Sequence, residues 1–435
     1  MHSKFLTLLI FFNIIFSQAL LNRAIGNDLI FGSPRAYAMG ITNSLNGKNS
    51  SLTRYNPSLL KKALGTKPSL IDFQLNLNSV SERRSILVKD YFGDFLTYAD
   101  YVNNTNMYNY LQGGFISHIG DKTAIGFSFL PLTSFNYDYI EEVRGSADIE
   151  DGDVGLKDPL EGFHQFKTSG KINTLSFGFS FSENLDKMQN ISVGFGFNQT
   201  LNMSMTDEFR IDTLSTDFEN LSFANSYYSD ESLETLANFF SFGLSYSKRD
   251  YLFSINVEGD LLIQTPNFKS YNFIDSIGII SYLDSSNTNF IVEGINYYKP
   301  MQYHFGFSYN PKDNSDLTVS TEIQYNKFDF QSINYFKNSS IYKFGFEYFL
   351  PSNIPIRAGL IYKQSPLQNL PDQSIITWGS GLIHGQFECD FSFSYTFYDY
   401  YYPTLFSVEN NQIQGFDQIT DSNFNFILGV KYYLK

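Results

Sequence analysis

Leu175-Ser176-Phe177-Gly178-Phe179-Ser180-Phe181-Ser182 alternates a large apolar residue with a small one, position by position. The rhythm returns at Ile191-Ser192-Val193-Gly194-Phe195-Gly196-Phe197-Asn198, and again at Phe240-Ser241-Phe242-Gly243-Leu244-Ser245-Tyr246-Ser247. A period of two belongs to a strand, whose successive side chains point to opposite faces. In a soluble sandwich the second face would be solvated, with Lys, Glu and Thr. Here it carries Gly, Ser, Asn and Thr with few charges, which suits the lumen of a barrel whose exterior meets lipid.

Composition agrees. Of 435 residues, 18% are aromatic, with 45 Phe and 31 Tyr, and only 17% are charged. Aromatic girdles at two membrane interfaces absorb such an excess. Mean hydropathy is −0.20, and beyond the N-terminus no apolar run approaches the ~18–20 residues of a membrane helix. Closed strands are the other way to satisfy a backbone in lipid.

The net charge of −14, with Lys and Arg scattered, argues against a nucleic-acid partner, because no basic stripe exists to neutralise phosphates. Cys389 is the only cysteine, so the chain forms no intramolecular disulfide and no multi-cysteine metal site. It sits in the alternating run Phe387, Cys389, Phe391, Phe393 and reads as lipid-facing. Neither a metal nor a cofactor is expected.

The chain divides into three parts: a signal peptide over 1–19, an irregular Gly- and Pro-containing segment over 20–68, and a barrel over 69–435. Lys4 supplies the positive start of the signal, Phe5 to Phe16 its apolar stretch, and Ser17-Gln18-Ala19 a small-x-small cleavage site. Export, strands and membrane compatibility together place the protein in a Gram-negative outer membrane, in contact with lipid and lipopolysaccharide. Fourteen strands are predicted: 69–79, 112–119, 122–140, 170–182, 189–205, 235–247, 250–263, 299–309, 316–328, 340–350, 355–363, 373–383, 386–399 and 422–434. The connections between them run long, then short, along the whole barrel. Short periplasmic turns and long outer loops produce that parity, and an even count leaves both termini in the periplasm. The last strand sets Phe424, Phe426, Leu428, Val430, Tyr432 and Leu434 on one face. This resembles the signal read by barrel-assembly machinery, although here the chain ends on Leu434-Lys435 rather than an aromatic residue.

Ahead of the strands stand Phe31-Gly32-Ser33-Pro34-Arg35-Ala36-Tyr37-Ala38-Met39-Gly40 and Arg54-Tyr55-Asn56-Pro57-Ser58-Leu59. Together they resemble the N-terminal region of the long-chain fatty-acid transporter (FadL) superfamily. That family has an Ala-Met-Gly-Gly-like stretch and an Asn-Pro-Ala motif before a fourteen-stranded barrel. The chain departs from the pattern at Ile41, in place of the second glycine, and at Ser58, in place of alanine. The resemblance implies a hatch inside the barrel, with Met39, Gly40, Asn56, Pro57 and Ser58 among its residues. Physically, a fourteen-stranded lumen is too wide for its own side chains to fill. Taken alone, Asn56-Pro57 reads first as a turn dipeptide; with the barrel behind it, the hatch is the preferred reading.

Pro131 interrupts the third strand, and proline is excluded from a continuous central strand. Two readings stay open: a kink within a strand running on to 140, or a strand that ends at Leu130. The resemblance implies the kink, which in that family opens a lateral path into the membrane. Phe129, Pro131 and Leu132 would border it. In loop 264–298, Phe273, Ile274, Ile277 and Ile280 fall at helical spacing, with Tyr282 close behind. An exposed apolar stripe marks a ligand or partner, and the resemblance implies a capture groove here. The alternative is that the stripe packs against loop 206–234.

Glu347, Arg357, Glu388, Asp390 and Lys431 face the lumen near short-turn ends and read as pairs bridging strands or holding a plug. His118, His164, His304 and His384 are far apart, and none has a metal-ligand or nucleophile-elbow spacing. Only His164 reaches the outer rim, where a barrel hydrolase needs its constellation, so catalysis is not expected. The leading expectation is passive uptake of hydrophobic small molecules, long-chain fatty acids or hydrocarbons. The alternative, from a likeness of the Arg-Ala-x-Ala-Met-Gly stretch to PorV-type proteins of the type IX secretion system, is binding of secreted proteins.

Overall fold

The computed structural model describes residues 27–28, 32–144, 160–201, 203–213, 226–233, 237–264, 272–274, 296–311, 316–328, 337–367, 370–403 and 416–434. Fourteen antiparallel strands close a ring. They are β1 Ser69–Lys89, β2 Phe95–Gly120, β3 Thr123–Ser134, β4 Leu160–Asp186, β5 Gln189–Thr200, β6 Asn238–Lys248 and β7 Tyr251–Glu258. The second half comprises β8 Met301–Tyr309, β9 Leu317–Lys327, β10 Ser339–Phe349, β11 Pro355–Lys363, β12 Gln373–His384, β13 Phe387–Pro403 and β14 Phe416–Leu434. Each pairs with its neighbours in sequence, and β14 returns to β1 from Ser69↔Leu434 to Ser85↔Gln418. Closure leaves no edge in the bilayer, so the backbone is satisfied without water.

The alternation sorts as expected. Phe177, Phe195, Phe242, Phe253, Phe305 and Phe344 stand on the outer face, while Ser176, Ser192, Ser241, Ser254 and Ser320 are buried inside. Cross-strand neighbours on the lipid face stack, as Phe127 on Phe177 at 5.1 Å and Phe253 on Phe307 at 5.1 Å between ring centroids. Cys389 lies on that face opposite Val430.

Above the lipid band the strands run further than the sequence suggested. Residues 80–111, read as a loop, form most of the β1–β2 hairpin, which turns only at Asp90–Asp94. Likewise 137–144 pairs with the upper part of β4, 203–213 pairs with its other edge, and 226–233 pairs with 203–209. Residues 261–264 and 296–299 extend β7 and β8 as a separate ribbon. The physical reason is wetting. Outside the membrane the outer face meets water and the inner face buries polar groups such as Glu82 and Arg84 beside Tyr137 and Tyr139, so the apolar-small alternation stops while the ladder continues. The expected third strand 122–140 is two pieces, 123–134 and 137–144, broken at Phe135-Asn136.

Inside the ring, residues 33–64 form four short helices and a 3₁₀ turn: α1 Pro34–Ala38, α2 Asn43–Asn46, α3 Leu52–Tyr55, the turn Pro57–Leu59 and α4 Leu60–Leu64. Helices of four or five residues have no stability of their own. They are held by the wall, and almost every residue from Ser33 to Leu60 is buried. Local chemistry sets one joint. The Asn56 side chain accepts from Ser58 N at 3.2 Å and so caps the turn that Pro57 begins.

Candidate functional site

The inner-face glycines are the seats of this plug. A Cβ on Gly359 would lie 2.0 Å from Gly40 N, one on Gly345 2.3 Å from the Met39 carbonyl oxygen, and one on Gly194 2.2 Å from Ser58 N. Gly243 faces Asn56 Oδ1 in the same way, at 2.1 Å. These seats are register neighbours, Gly345↔Gly359 and Gly194↔Gly243, so they form docking strips on the wall. Polar contacts complete the fit. Gly40 N donates to Thr377 Oγ1 at 3.0 Å, Asn56 Nδ2 to Ser254 Oγ at 2.7 Å, and Ser50 N to Asp72 Oδ2 at 2.7 Å. Gly40 has φ +70°, which favours glycine, but Ile41 follows it at φ 58°. A β-branched residue is strained there.

Two arginines carry the charge that ties plug to wall. At the short-turn end Arg35 donates to both Glu347 oxygens, at 2.9 Å from Nε and 2.5 Å from Nη2. Glu347 also accepts from Arg357 Nε at 2.7 Å, Arg357 reaches Asp390 at 2.7 Å, and Lys431 bridges Glu388 and Asp390 at 2.6 and 3.0 Å. The five wall charges singled out in the sequence thus form one network with a plug arginine added. At the long-loop end Arg54 Nε donates to Glu258 at 3.1 Å, and Lys299 stands 3.4 Å from the same carboxylate. Glu322 takes Lys343 at 2.7 Å and His304 at 3.1 Å, together with Ser44 Oγ at 2.6 Å. The Arg54 guanidinium lies 5.0 Å over Tyr55 and 5.6 Å over Phe239. Its Nη1 has no partner among the described residues.

The sequence reading missed this second network and both arginines, although Arg35 and Arg54 lie inside the motifs quoted for the plug. The available signal was charge on faces otherwise made of Gly, Ser and Asn. Glu258, Glu322 and Lys343 each occupy an inner position of an alternating strand, and each required a partner inside.

Each end of the plug borders a cavity. The one toward the long loops has a volume of about 90 Å³ and is lined by Ile41, Ser44, Arg54, Leu132, Tyr297 and Lys299, among others. The one toward the short turns has about 300 Å³, with Arg35, Lys48 and Lys62 beside Leu45, Leu252 and Phe349.

Among the described residues, the ladder of the wall is interrupted beside Pro131. The β2–β3 ladder ends at Gly113↔Phe129, yet β3 continues through Pro131 to Ser134. On its β4 side the register slips between Pro131 and Thr133, leaving Leu132 as the extra residue of a bulge. Asn27–Asp28 take up the vacated edge, pairing with Ser134 and Thr133. Leu132 points inward to a buried cluster with Phe135, Ile172, Phe239, Leu261 and Tyr297.

Phe273 and Ile274 belong to a short strand paired with Tyr227 and Ser226, so the helical spacing read there does not correspond to a helix over 272–274. Segment 226–228 is their backbone partner. Ile277, Ile280 and Tyr282 lie outside the described residues. His164 is buried, with Nδ1 at 2.6 Å from Glu141 Oε1.

No family model matches this chain, and no curated protein matches it. Solved structures do. A FadL homologue of Pseudomonas aeruginosa superposes with a TM-score of 0.61 at 13% identity, over 97% of this chain and 100% of that one. The toluene transporter TbuX of Ralstonia pickettii gives 0.53 at 15% identity, over 96% and 100%. The toluene transporter TodX of Pseudomonas putida gives 0.54 at 13%, over 94% and 99%. The chain has the FadL-type barrel fold.

Proposed function

We propose that this protein is an outer-membrane channel for passive uptake of hydrophobic small molecules, long-chain fatty acids or hydrocarbons, with both termini in the periplasm. The observation that carries this reading is the continuity of apolar surface at the interrupted wall. Leu132 and Tyr297 line the cavity on the long-loop side and also belong to the buried apolar cluster. That cluster abuts the stretch of β3 beyond Phe129, where β2 has left the ladder. A ligand entering between the long loops would reach the wall bordered by Phe129, Pro131 and Leu132 by displacing this apolar cluster and the pairing of Asn27–Asp28. Arg54 Nη1, buried beside the cavity and unpartnered among the described residues, suits a carboxylate head. The plug serves as the hatch, with Met39, Gly40, Asn56, Pro57 and Ser58 at its contacts with the wall. The names of the similar structures, toluene transporters and a FadL homologue, support the same class of ligand.

The test is uptake into proteoliposomes of radiolabelled palmitate and toluene, with Pro131→Val beside the unchanged chain. Valine supplies the N–H that proline lacks, so the bulged edge gains a donor and closes more firmly. Uptake by the variant is expected to fall several-fold, while binding in detergent persists. Normal uptake by the variant would exclude a sideways exit at β3. No uptake by the unchanged chain over empty liposomes would sink the reading altogether.

A second reading, docking of a secreted protein, rests on the hairpin tip, where Tyr91 and Phe92 are 98% and 86% exposed. Purification from native membranes separates the two by whether a protein or a lipid accompanies the barrel.

A further inference from the structure

The cavity on the short-turn side of the plug differs from a gap left by imperfect packing. Its walls combine apolar side chains, Leu45, Leu59, Leu252 and Phe349, with the cations Arg35, Lys48 and Lys62. Arg35 is spoken for, with Glu347 on two of its nitrogens and the Asn46 carbonyl on the third, at 3.0 Å. Glu347, the carboxylate on this wall, is in turn saturated by Arg35 and Arg357. Lys48 and Lys62 form no ion pair or side-chain hydrogen bond with any described residue. Lys61 next to them bonds the Asp121 carbonyl, and Lys67 lies outside the cavity, whereas Lys62 lines it while remaining exposed to solvent. The Arg35 guanidinium, followed by burial, pulls the Lys48 ammonium down to about 8. Two ammonium groups therefore line the cavity beside apolar side chains, and its one lining carboxylate, Glu347, is already shared by Arg35 and Arg357.

We infer that this cavity is a binding site for the carboxylate of an amphiphilic acid, held by Lys48 and Lys62 with its apolar tail against Leu45, Leu252 and Phe349. A volume of about 300 Å³ lies at the small end of ligand pockets. The head group is an anion because two ammonium groups converge without a counterion. The tail is apolar because Leu45, Leu59, Ala63, Leu252 and Phe349 form the apolar side of the wall, while Asn46, Ser308, Asn310 and Thr318 form its polar side. Binding in the cavity stands on these contacts alone. Its role, capture of acids that move past the plug instead of leaving sideways at β3, rests on the uptake reading.

The experiment uses the whole mature protein in detergent and measures acylation of each lysine by an amine-reactive reagent, read by mass spectrometry. Octanoate, 1-octanol and inorganic phosphate are the probes. Octanoate is expected to slow acylation of Lys48 and Lys62 at least fivefold relative to Lys67, with octanol and phosphate giving little protection. In titration calorimetry the double variant Lys48→Gln/Lys62→Gln is expected to bind octanoate at least tenfold more weakly, and Lys48→Arg to retain binding. Heat-modifiable migration confirms that each variant is folded. Equal protection by phosphate would overturn the amphiphile assignment, and equal protection by octanol would overturn the carboxylate. Unchanged octanoate affinity in the folded double variant would overturn the site. If octanoate protects both lysines but no ligand crosses a proteoliposome, the site stands and the uptake reading falls.

Discussion

The two faces of the plug carry similar charges arranged to opposite ends. Toward the long loops, Arg54, Lys299 and Lys343 each have a carboxylate within 3.4 Å, and His304 joins Glu258 and Glu322 into one network that leaves Arg54 Nη1 without a partner among the described residues. Toward the short turns the wall network is closed, from Arg35 through Glu347, Arg357 and Asp390 to Lys431. Lys48 and Lys62 are added to that side with no carboxylate of their own. A buried ion pair is costly to break but contributes little over an apolar substitute, so its value lies in fixing one arrangement. The paired cations therefore hold the plug in register, and the unpaired ones are free to meet something else.

The comparison has force only if the plug separates the two faces, and that separation depends on glycine. In Gly194→Val/Gly359→Val the new Cβ atoms would meet the backbone of Pro57-Ser58 at 2.2 Å and of Gly40 at 2.0 Å. Backbone in a packed lumen cannot step aside as the tip of a side chain can. The plug is expected to leave its seats and the two cavities to merge, raising single-channel conductance in planar bilayers by more than tenfold. A folded double variant that conducts like the parent would show that these strips do not hold the plug.

The next prediction sets one face against the other. Glu322→Gln strips Lys343 and His304 of their carboxylate in a buried place, at a cost of roughly 3–5 kcal/mol. Lys62→Gln removes a charge that answers to nothing and lies partly in water, at a cost of about 0.5 kcal/mol or less. Urea unfolding of the two variants, followed by hydrogen exchange of residues 33–64, measures the difference. Equal losses would erase the distinction between holding and unclaimed cations.

The wall of the barrel was legible in the sequence because lipid outside and a plug-filled lumen inside impose a strict period of two. The runs from Leu175 and from Phe240 declare strand, face and environment together. Above the membrane that constraint ends. Ser81-Glu82-Arg83-Arg84 and Asn103-Asn104-Thr105-Asn106 pair across β1 and β2 with polar residues on both faces, so residues 80–111 read as loop. The plug was legible as a segment but not as helices, because α1 to α4 are too short to show a period of 3.6. The wall glycines read as space, whereas the structure fills that space with the backbone of Met39-Gly40 and Pro57-Ser58. The pairing of Arg54 with Glu258 spans 204 residues of chain, a distance no local pattern reveals.

A smaller effect concerns the hinge between the faces. Ile41 stands at φ 58°, where the resembling family has glycine, and it lines the long-loop cavity. The left-handed backbone costs a β-branched residue about 1–2 kcal/mol. Against this, the side chain is buried in a cluster with Tyr37, Ile341, Ile361, Ile375 and Ile427. Emptying such a position costs roughly 2–5 kcal/mol. Burial exceeds strain, so Ile41→Gly is expected to loosen residues 38–45 by about 1–3 kcal/mol in hydrogen exchange, sparing the Lys48 side. Increased protection of those amides would mean that strain is the larger quantity.

The smallest expected effect belongs to Lys48 and works through pH. Its ammonium faces Arg35, Lys62 and Lys431, which discourage its charge, and Glu347 and Glu388, which favour it. The balance, with burial, brings it from 10.5 to about 8. For a base lowered on folding, the unfolded chain holds the proton between about 8 and 10.5 while the folded chain does not, so stability rises with pH across that window. Carboxylate binding has the opposite sign. A bound anion stabilises the charged ammonium, so octanoate binds best below pH 8 and weakens as Lys48 loses its proton. Between pH 7 and pH 9 the affinity is expected to fall by about three- to tenfold, roughly 0.7–1.4 kcal/mol. In Lys48→Arg, which keeps its charge across this range, the slope should shrink to the part carried by Lys62, itself lowered to about 8, while binding remains. Calorimetry at pH 7, 8 and 9 on both proteins decides the matter: an undiminished slope in the arginine variant assigns the titration to Lys62 or another group, and no slope in either leaves Lys48 outside the site.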